Sequence, residues 1–152
     1  MPDGISLQPV TAADLPALLG FARDFHAEDG HALDARGEQG VRAAAAGDPL
    51  ARAWFVCDGG QRIGYAVLTL GFSILHGGRD GFIDDLYLVP AARGRGIGPR
   101  VMAMLEDEAR RLGLQALHLE VETGNVRAAA LYAARGYEES PRRLMSLRLA
   151  GG

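Results

Sequence analysis

The sequence predicts one α/β (α+β) domain, in which a mostly antiparallel sheet of six to seven strands is flanked by about four helices. The chain of 152 residues has the length of a single domain, and its 48% hydrophobic and 23% charged content is typical of a globular protein. Strand-like and helix-like segments alternate in the order β-α-α-β-β-β-α-β-α-β. One strand–helix–strand unit late in the chain adds a parallel crossover. We therefore assign residues 1–152 to one domain.

The first part of the chain contains one strand and two helices. Alternating apolar and polar residues over 5–10 predict the strand. Thr11 precedes an acidic turn and predicts the start of a helix that runs toward Phe25. A second helix is predicted over residues 34–46, where a Gly-Asp-Pro sequence ends it.

The middle of the chain is rich in strands. Residues 52–57 and 62–70 flank an Asp-Gly-Gly sequence at 58–60, which is a strong signal for a β-hairpin. Residues 82–89 predict a further strand. The stretch 71–78 before it is either the end of a hairpin or a wall of a binding site.

The last part of the chain alternates helices and strands. After residue 98, apolar residues recur at helical spacing until Gly113 ends the helix. Residues 116–121 alternate and predict a strand. A short helix is predicted over 125–135, and residues 144–149 predict a final strand.

Composition excludes several classes of protein. The net charge of −3 argues against a general nucleic-acid binder. No apolar run is long enough to span a bilayer, and the N-terminal residues lack the pattern of a secretory signal, so we expect a cytoplasmic protein. Cys57, the only cysteine, lies in a predicted strand and is expected to be a buried thiol. His26 and His31 are poorly spaced for metal ligands on one helix face, and no metal is expected.

The most informative segment is the glycine-rich turn at residues 93–98, between a strand and a helix. Its three glycines allow a tight bend and a close approach of the backbone to a ligand. Amide N–H groups at the start of the helix favour a phosphate or pyrophosphate there. The chain has no lysine for a P-loop, and Pro99 stands where a dinucleotide fingerprint needs its last glycine. A plain strand-to-helix connection is the alternative.

This turn resembles a known motif. Arg93-x-x-Gly96-x-Gly98, directly after a strand, is similar to the acyl-CoA pyrophosphate motif of the GNAT superfamily of N-acetyltransferases. The second CoA segment of that superfamily resembles the downstream residues Asn125, Ala129, Leu131-Tyr132 and Arg135-Gly136-Tyr137. The predicted order of elements also fits the GNAT fold. The resemblance implies acetyl-CoA as the co-substrate, and it suggests a homodimer.

The resemblance also implies roles for individual residues. The pantetheine arm would pair with the strand as an added strand does, through backbone groups of Leu86, Tyr87 and Leu88. Backbone amides that would hold the pyrophosphate belong to Arg93, Gly94, Arg95, Gly96, Ile97 and Gly98. Asn125 would contact the CoA arm, and Tyr132 would stand near the thioester sulfur.

Acetyl transfer to an amine requires a base and an acid. A lysine-like amine has a pKa of about 10.4, so about one molecule in a thousand is neutral near neutral pH. Asp84 and Asp85 are the candidate bases. Strand alternation predicts that they point to opposite faces, and Asp84 is favoured. Tyr132 is the candidate acid, since a phenol can protonate a thiolate. The alternatives are that the two aspartates only attract a cation or cap a turn, and that Tyr132 only packs on the sheet.

The acceptor is predicted from the segment between the first two helices. This segment is rich in acids, and we name His26, Glu28 and Asp29 as candidate acceptor-binding residues. Together with the two aspartates it favours a small cationic acceptor, such as a diamine, polyamine, basic amino acid or aminoglycoside. Residues 82–87 also resemble the diamine acetyltransferase branch. A solvated acidic helix end is the alternative.

Three other functions fit the same sequence. The domain could acetylate a protein N-terminus or a lysine side chain instead of a small amine. It could bind acyl-CoA as a sensor without turnover, although a sensor needs neither the aspartates nor Tyr132. It could also use the glycine-rich turn to bind a nucleotide.

Overall fold

The computed structural model describes residues 4–149. The chain forms two compact units, Met1–Glu120 and Val121–Gly152. The elements of the first unit are β1 (Ile5–Pro9), α1 (Leu15–Glu28), α2 (Ala35–Ala45), β2 (Ala51–Asp58), β3 (Gln61–Ser73), β4 (Gly78–Leu88), α3 (Ile97–Arg111) and β5 (Ala116–His118). The second unit contains α4 (Val126–Ala134). Short 3-10 turns precede α1 and follow β4. Each helix within residues 4–149 is too short or too polar to cross a bilayer.

The strands of the first unit form one sheet in the order β1-β2-β3-β4-β5. The first three pairings are antiparallel and the β4–β5 pairing is parallel, which confirms the predicted fold class. The sheet has five strands among the described residues, fewer than the six to seven predicted. The prediction of a final strand over 144–149 is wrong, because these residues form no strand. Alternation marks an apolar face, but it does not supply a neighbouring strand for the hydrogen bonds.

Helices α1 and α2 cover one face of the sheet. Leu18 and Ala22 lie one turn apart on α1 and bury the same stripe of that helix. They pack against Phe55 and Tyr65, which point to this face from β2 and β3. Cys57 belongs to the same cluster, and burial raises the pKa of its thiol, so the prediction of a buried cysteine is confirmed.

Helix α3 buries the stripe that its sequence predicts. Val101, Leu105 and Ala109 recur at intervals of four residues and are buried. Ile97, in the first turn, is buried as well. The first turn of α3 is thereby fixed in the core directly after the glycine-rich turn.

The pairing of β4 with its neighbours contains two irregularities. On the β3 side, Val67 pairs with Asp85 but Leu68 pairs with Ile83, so Asp84 is the extra residue of a β-bulge. On the β5 side, the pairing ends at Phe82 with His118, whereas β4 continues to Leu88. The strand predicted over 116–121 is therefore shorter, and the two parallel strands pair only along the first part of β4.

The second unit begins with α4. The side chain of Asn125 caps this helix by accepting a hydrogen bond of 3.1 Å from the backbone N–H of Ala128. Tyr132, on the same helix, is half-buried, and its ring lies 6.1 Å from that of Tyr137 in an edge-on arrangement. The predicted short helix is confirmed within one residue at each end.

Candidate active site

The β-bulge at Asp84 places two adjacent carboxylates near the same groups. The prediction that Asp84 and Asp85 point to opposite faces is wrong, because the bulge interrupts the alternation of the strand. Both carboxylates raise the pKa of the Tyr65 hydroxyl, and the charge of His26 on α1 lowers the pKa of Asp84. The two aspartates are thus directed toward one region beside α1.

Asp85 is held in place by two neighbours. The Tyr65 hydroxyl donates a hydrogen bond of 2.8 Å to Asp85 Oδ2, and His26 Nε2 lies 3.4 Å from the same oxygen. The Asp85 side chain is 15% exposed, and Tyr65 is fully buried. Burial is the main reason that the pKa of Tyr65 is raised, and the Asp85 charge adds to it, so this tyrosine remains a hydrogen-bond donor.

Asp84 has the properties of a general base. It is exposed to solvent, but surrounding protein atoms displace part of the water around its carboxyl group, and this desolvation is the main reason that its pKa is raised. The negative charges of Asp85 and then Glu120 raise the pKa further. A more basic carboxylate accepts a proton from an amine more readily, provided that it stays ionised at the working pH.

The edge of β4 beyond Phe82 can receive an extended ligand. Among the described residues, β5 pairs no further along β4 than this point, so the edge from Asp84 to Leu88 faces away from β3 without a strand beside it. The Tyr87 side chain is buried and its carbonyl lies against Gly64 of β3. Because peptide groups alternate along a strand, Leu86 and Leu88 present theirs to the open edge. The Leu88 carbonyl accepts a hydrogen bond of 3.0 Å from Arg93 Nε.

The glycine-rich turn is shaped to admit an anion. Gly94 and Gly96 have φ values of 73° and 75°, in the left-handed region that side chains other than glycine rarely adopt. Gly96 is the N-cap of α3, and no side chain among the described residues caps that end of the helix by a hydrogen bond. A Cβ atom on Gly94, Gly96 or Gly98 would have no described atom within 4 Å, so space is open in front of the turn. These residues fit a pyrophosphate held by backbone amides.

Arg93 joins the glycine-rich turn to α1. Its guanidinium makes two hydrogen bonds of 2.8 Å to the carboxylate of Glu28, and it lies 5.7 Å from the centre of the Tyr87 ring. Glu28, predicted to bind the acceptor, is therefore engaged in an ion pair. Asp29 is exposed at the end of α1, whereas His26 does reach Asp85. Arg95 lies 3.3 Å from Asp58 in a second, more exposed ion pair.

Sequence patterns missed two residues of this site. Tyr65 lies 20 positions before its partner Asp85, and only the pairing of β3 with β4 brings them together. Glu120 follows β5, where it affects Asp84. An aromatic residue with a polar end at a core position of β3 was the one available signal for Tyr65.

A surface pocket of about 350 Å³ lies elsewhere on the first unit. It is lined by residues of β1, β2, α2 and α3, among them Trp54, Glu108 and Arg111. None of its lining residues belongs to the predicted site, and we assign it no part in the chemistry.

Comparisons with known proteins identify the family of this chain. Residues 19–137 match the Acetyltransferase (GNAT) family, and the chain belongs to that family. A solved structure of an integron cassette protein from the metagenome of Cole Harbour Salt Marsh is 33% identical to it, with a TM-score of 0.79 over 99% of this chain and 93% of that one. The family and this structure confirm the predicted superfamily and its fold.

Two curated relatives cover a shorter region. The N-acetyltransferase YhfO of Bacillus subtilis, itself uncharacterized, is 37% identical over 54% of this chain and 55% of its own length. The aminoalkylphosphonate N-acetyltransferase of Salmonella typhimurium is 31% identical over 53% of each chain. The matched region thus spans about half the length of these relatives.

Proposed function

We propose that this chain is an acetyl-CoA-dependent N-acetyltransferase that acetylates the primary amine of a small cationic acceptor. The observation that carries the proposal is the bulge on β4, because it presents Asp84 at the point where the β4–β5 pairing ends. A base, an open strand edge and an anion-binding turn follow one another along β4 and into α3.

The donor half of the proposed site is built from backbone. The open edge of β4 would pair with the pantetheine arm through the peptide groups of Leu86 and Leu88, since the Tyr87 carbonyl lies against β3. The amides at the start of α3 would bind the pyrophosphate, supported by the helix dipole. Acetyl-CoA would supply the activated acetyl group as a thioester. The Arg93–Glu28 ion pair supports this arrangement by fixing the start of the turn to α1.

Asp84 would remove the proton that the acceptor amine must lose. Its raised pKa makes it a stronger base than an ordinary aspartate. Asp85 is a positioning residue in this proposal, because Tyr65 and His26 occupy its carboxylate and its charge raises the pKa of Asp84. Tyr132 would donate a proton to the departing thiolate. Its place on α4, seven residues after the cap residue Asn125 in the segment that resembles the second CoA segment of the family, supports this role.

The charge of the site supports a cationic acceptor. Asp84 and Asp85 lie at the bulge, and Glu120 is close enough to Asp84 to raise its pKa. Negative charges gathered on one side of a cleft attract a positively charged molecule. The Salmonella relative is named an aminoalkylphosphonate N-acetyltransferase, which supports the amine of a small molecule, though not a net positive charge, for the acceptor.

Release of free thiol from acetyl-CoA, measured across a panel of primary amines, tests the proposal. We expect turnover with small amines, a loss of about 10²-fold or more in kcat/KM for Asp84→Asn, and a loss of kcat for Tyr132→Phe. Asp107→Asn, an exposed residue of α3 that pairs with Arg110, is the matched control and leaves the rate unchanged.

Calorimetry with CoA separates the steps. Tight binding of CoA by both active-site variants, with turnover lost, supports the assigned roles. Tight binding without turnover of any amine by the natural sequence would show a sensor instead. Acetylation of peptides but not of small amines would show a protein acetyltransferase.

A further inference from the structure

A second polar pair lies further back along β4, outside the site described so far. His118 Nε2 of β5 is 3.0 Å from Asp80 Oδ2 of β4. The Asp80 side chain is 13% exposed and that of His118 is 29% exposed, so the carboxylate is mostly buried and the imidazole reaches solvent. An aspartate in this position orients a histidine ring and selects the nitrogen that carries the proton.

An exposed aromatic ring lies beside this pair. Phe82 pairs with Thr69 on one side and His118 on the other, so the three residues form one row across β3, β4 and β5. The Phe82 residue is 40% exposed, and its ring centre is 5.0 Å from that of His118. Thr69 lies two residues from Val67, the partner of Asp85, and the row therefore shares a face with Asp85.

The row is within reach of a ligand bound at Asp84. Asp84 is two residues beyond Phe82 on the same strand, and His118 is on the adjacent strand. Strand geometry puts the Cα atoms of Asp84 and His118 about 8 Å apart. A short chain with a reactive amine at Asp84 can therefore place its other end on Phe82 and His118.

The chemistry of the His118–Asp80 pair indicates which group the far end of the acceptor carries. When the N–H at His118 Nε2 donates a hydrogen bond to Asp80, Nδ1 of the neutral ring is a hydrogen-bond acceptor. Asp80, Asp84 and Glu120 make this side of the sheet acidic, and the face of an aromatic ring attracts a cation. A distal ammonium group satisfies both features.

We propose that Phe82, His118 and Asp80 form a second subsite that binds the distal ammonium of a linear diamine while Asp84 acts on the other amine. This inference rests on the proposed function. The alkyl chain of the diamine lies over Phe82, and its distal nitrogen donates a hydrogen bond to His118 Nδ1. Asp80 is a positioning residue for His118. The contact exists before and during acetyl transfer, so it affects binding of the acceptor and not the chemical step.

Steady-state kinetics with 1,4-diaminobutane and n-butylamine test the subsite, since only the diamine has a distal ammonium. His118→Ala is expected to raise the KM for the diamine about tenfold, with kcat unchanged and with the KM for butylamine unchanged. Asp80→Asn gives a smaller change in the same direction. Asp107→Asn, on the exposed face of α3, is the matched control and alters neither amine.

A second variant tests the same subsite in case His118→Ala does not fold. Phe82→Leu keeps apolar bulk at an exposed position but removes the ring face, and it is expected to raise the KM for the diamine alone. Equal effects on both amines, or a fall in kcat with KM unchanged, would overturn the subsite while leaving the proposed function intact. Absence of thiol release with every amine in the natural sequence would overturn the proposed function and the subsite together.

Discussion

The hydroxyl of the buried Tyr65 donates a 2.8 Å hydrogen bond to the carboxylate of Asp85, the residue that follows the bulge on β4. This bond gives the two adjacent aspartates different environments. Asp85 has a fixed donor and little exposure, whereas Asp84 is exposed and carries the raised pKa. Two carboxylates whose surroundings differ in this way can divide the roles of charge and base between them.

Tyr65→Phe is predicted to lower the free energy of unfolding by about 1.5–3 kcal/mol, because a partly buried carboxylate loses its donor. Urea denaturation followed by circular dichroism measures the loss. Tyr87→Phe is the control, since it removes a hydroxyl from the same aromatic cluster without taking a hydrogen bond from Asp85. Losses of equal size in the two variants would contradict a specific role for the Tyr65–Asp85 bond.

Asp84→Asn and Asp85→Asn are predicted to differ in their effect on catalysis. Replacement of the base removes about 10²–10⁴-fold of the rate, whereas replacement of the positioning residue changes mainly the pKa of its neighbour. Initial rates at saturating acetyl-CoA, near neutral pH and with one amine, compare the two variants directly. A larger loss for Asp85→Asn would reverse the assignment.

The dependence of kcat/KM on pH is predicted to reveal the raised pKa of Asp84. Asp84 must be ionised to act as a base, so activity is lost as pH falls through its pKa, which lies above the ordinary aspartate value. The acceptor amine adds its own loss at every pH below about 10. A plot of log kcat/KM against pH therefore steepens from a slope of one to a slope of two below the pKa of Asp84.

Charge variants move this break in opposite directions. Asp85→Asn removes a negative charge that raises the pKa of Asp84, and the break moves to lower pH. Glu120→Gln moves it in the same direction by less, because its charge has the smaller effect. His26→Ala moves it to higher pH, since the positive charge of His26 lowers that pKa. A break that none of these variants moves would belong to another group.

Local patterns predicted most of the fold. The Asp-Gly-Gly turn predicted the hairpin of β2 and β3, and the apolar residues at helical spacing up to Gly113 predicted α3. Both signals depend on residues close together in sequence. The prediction of a strand over 144–149 is wrong, because strand pairing depends on a second strand that no local pattern specifies.

The site was predictable only in part, for a related reason. The glycines of the turn and the two aspartates are visible in the sequence, since backbone freedom and charge are properties of single residues. The bulge is a change of register between two strands, and Arg93 meets Glu28 across 65 positions. Such relationships arise from tertiary packing, so the sequence does not show that Glu28, a candidate acceptor-binding residue, forms an ion pair with Arg93.

Gly96→Ala is predicted to weaken CoA binding at least tenfold, and Gly113→Ala is its matched control. The two glycines stand at opposite ends of α3 with φ values of 75° and 76°, and a Cβ atom on either meets no described atom within 4 Å. Alanine therefore costs about 1–2 kcal/mol of backbone strain at both positions. Only Gly96 belongs to the glycine-rich turn, where the pyrophosphate of CoA is proposed to bind. Thermal unfolding is expected to show similar losses for both variants, and calorimetry with CoA a loss for Gly96→Ala alone. Equal affinity of the two variants for CoA would mean that the turn does not hold the pyrophosphate.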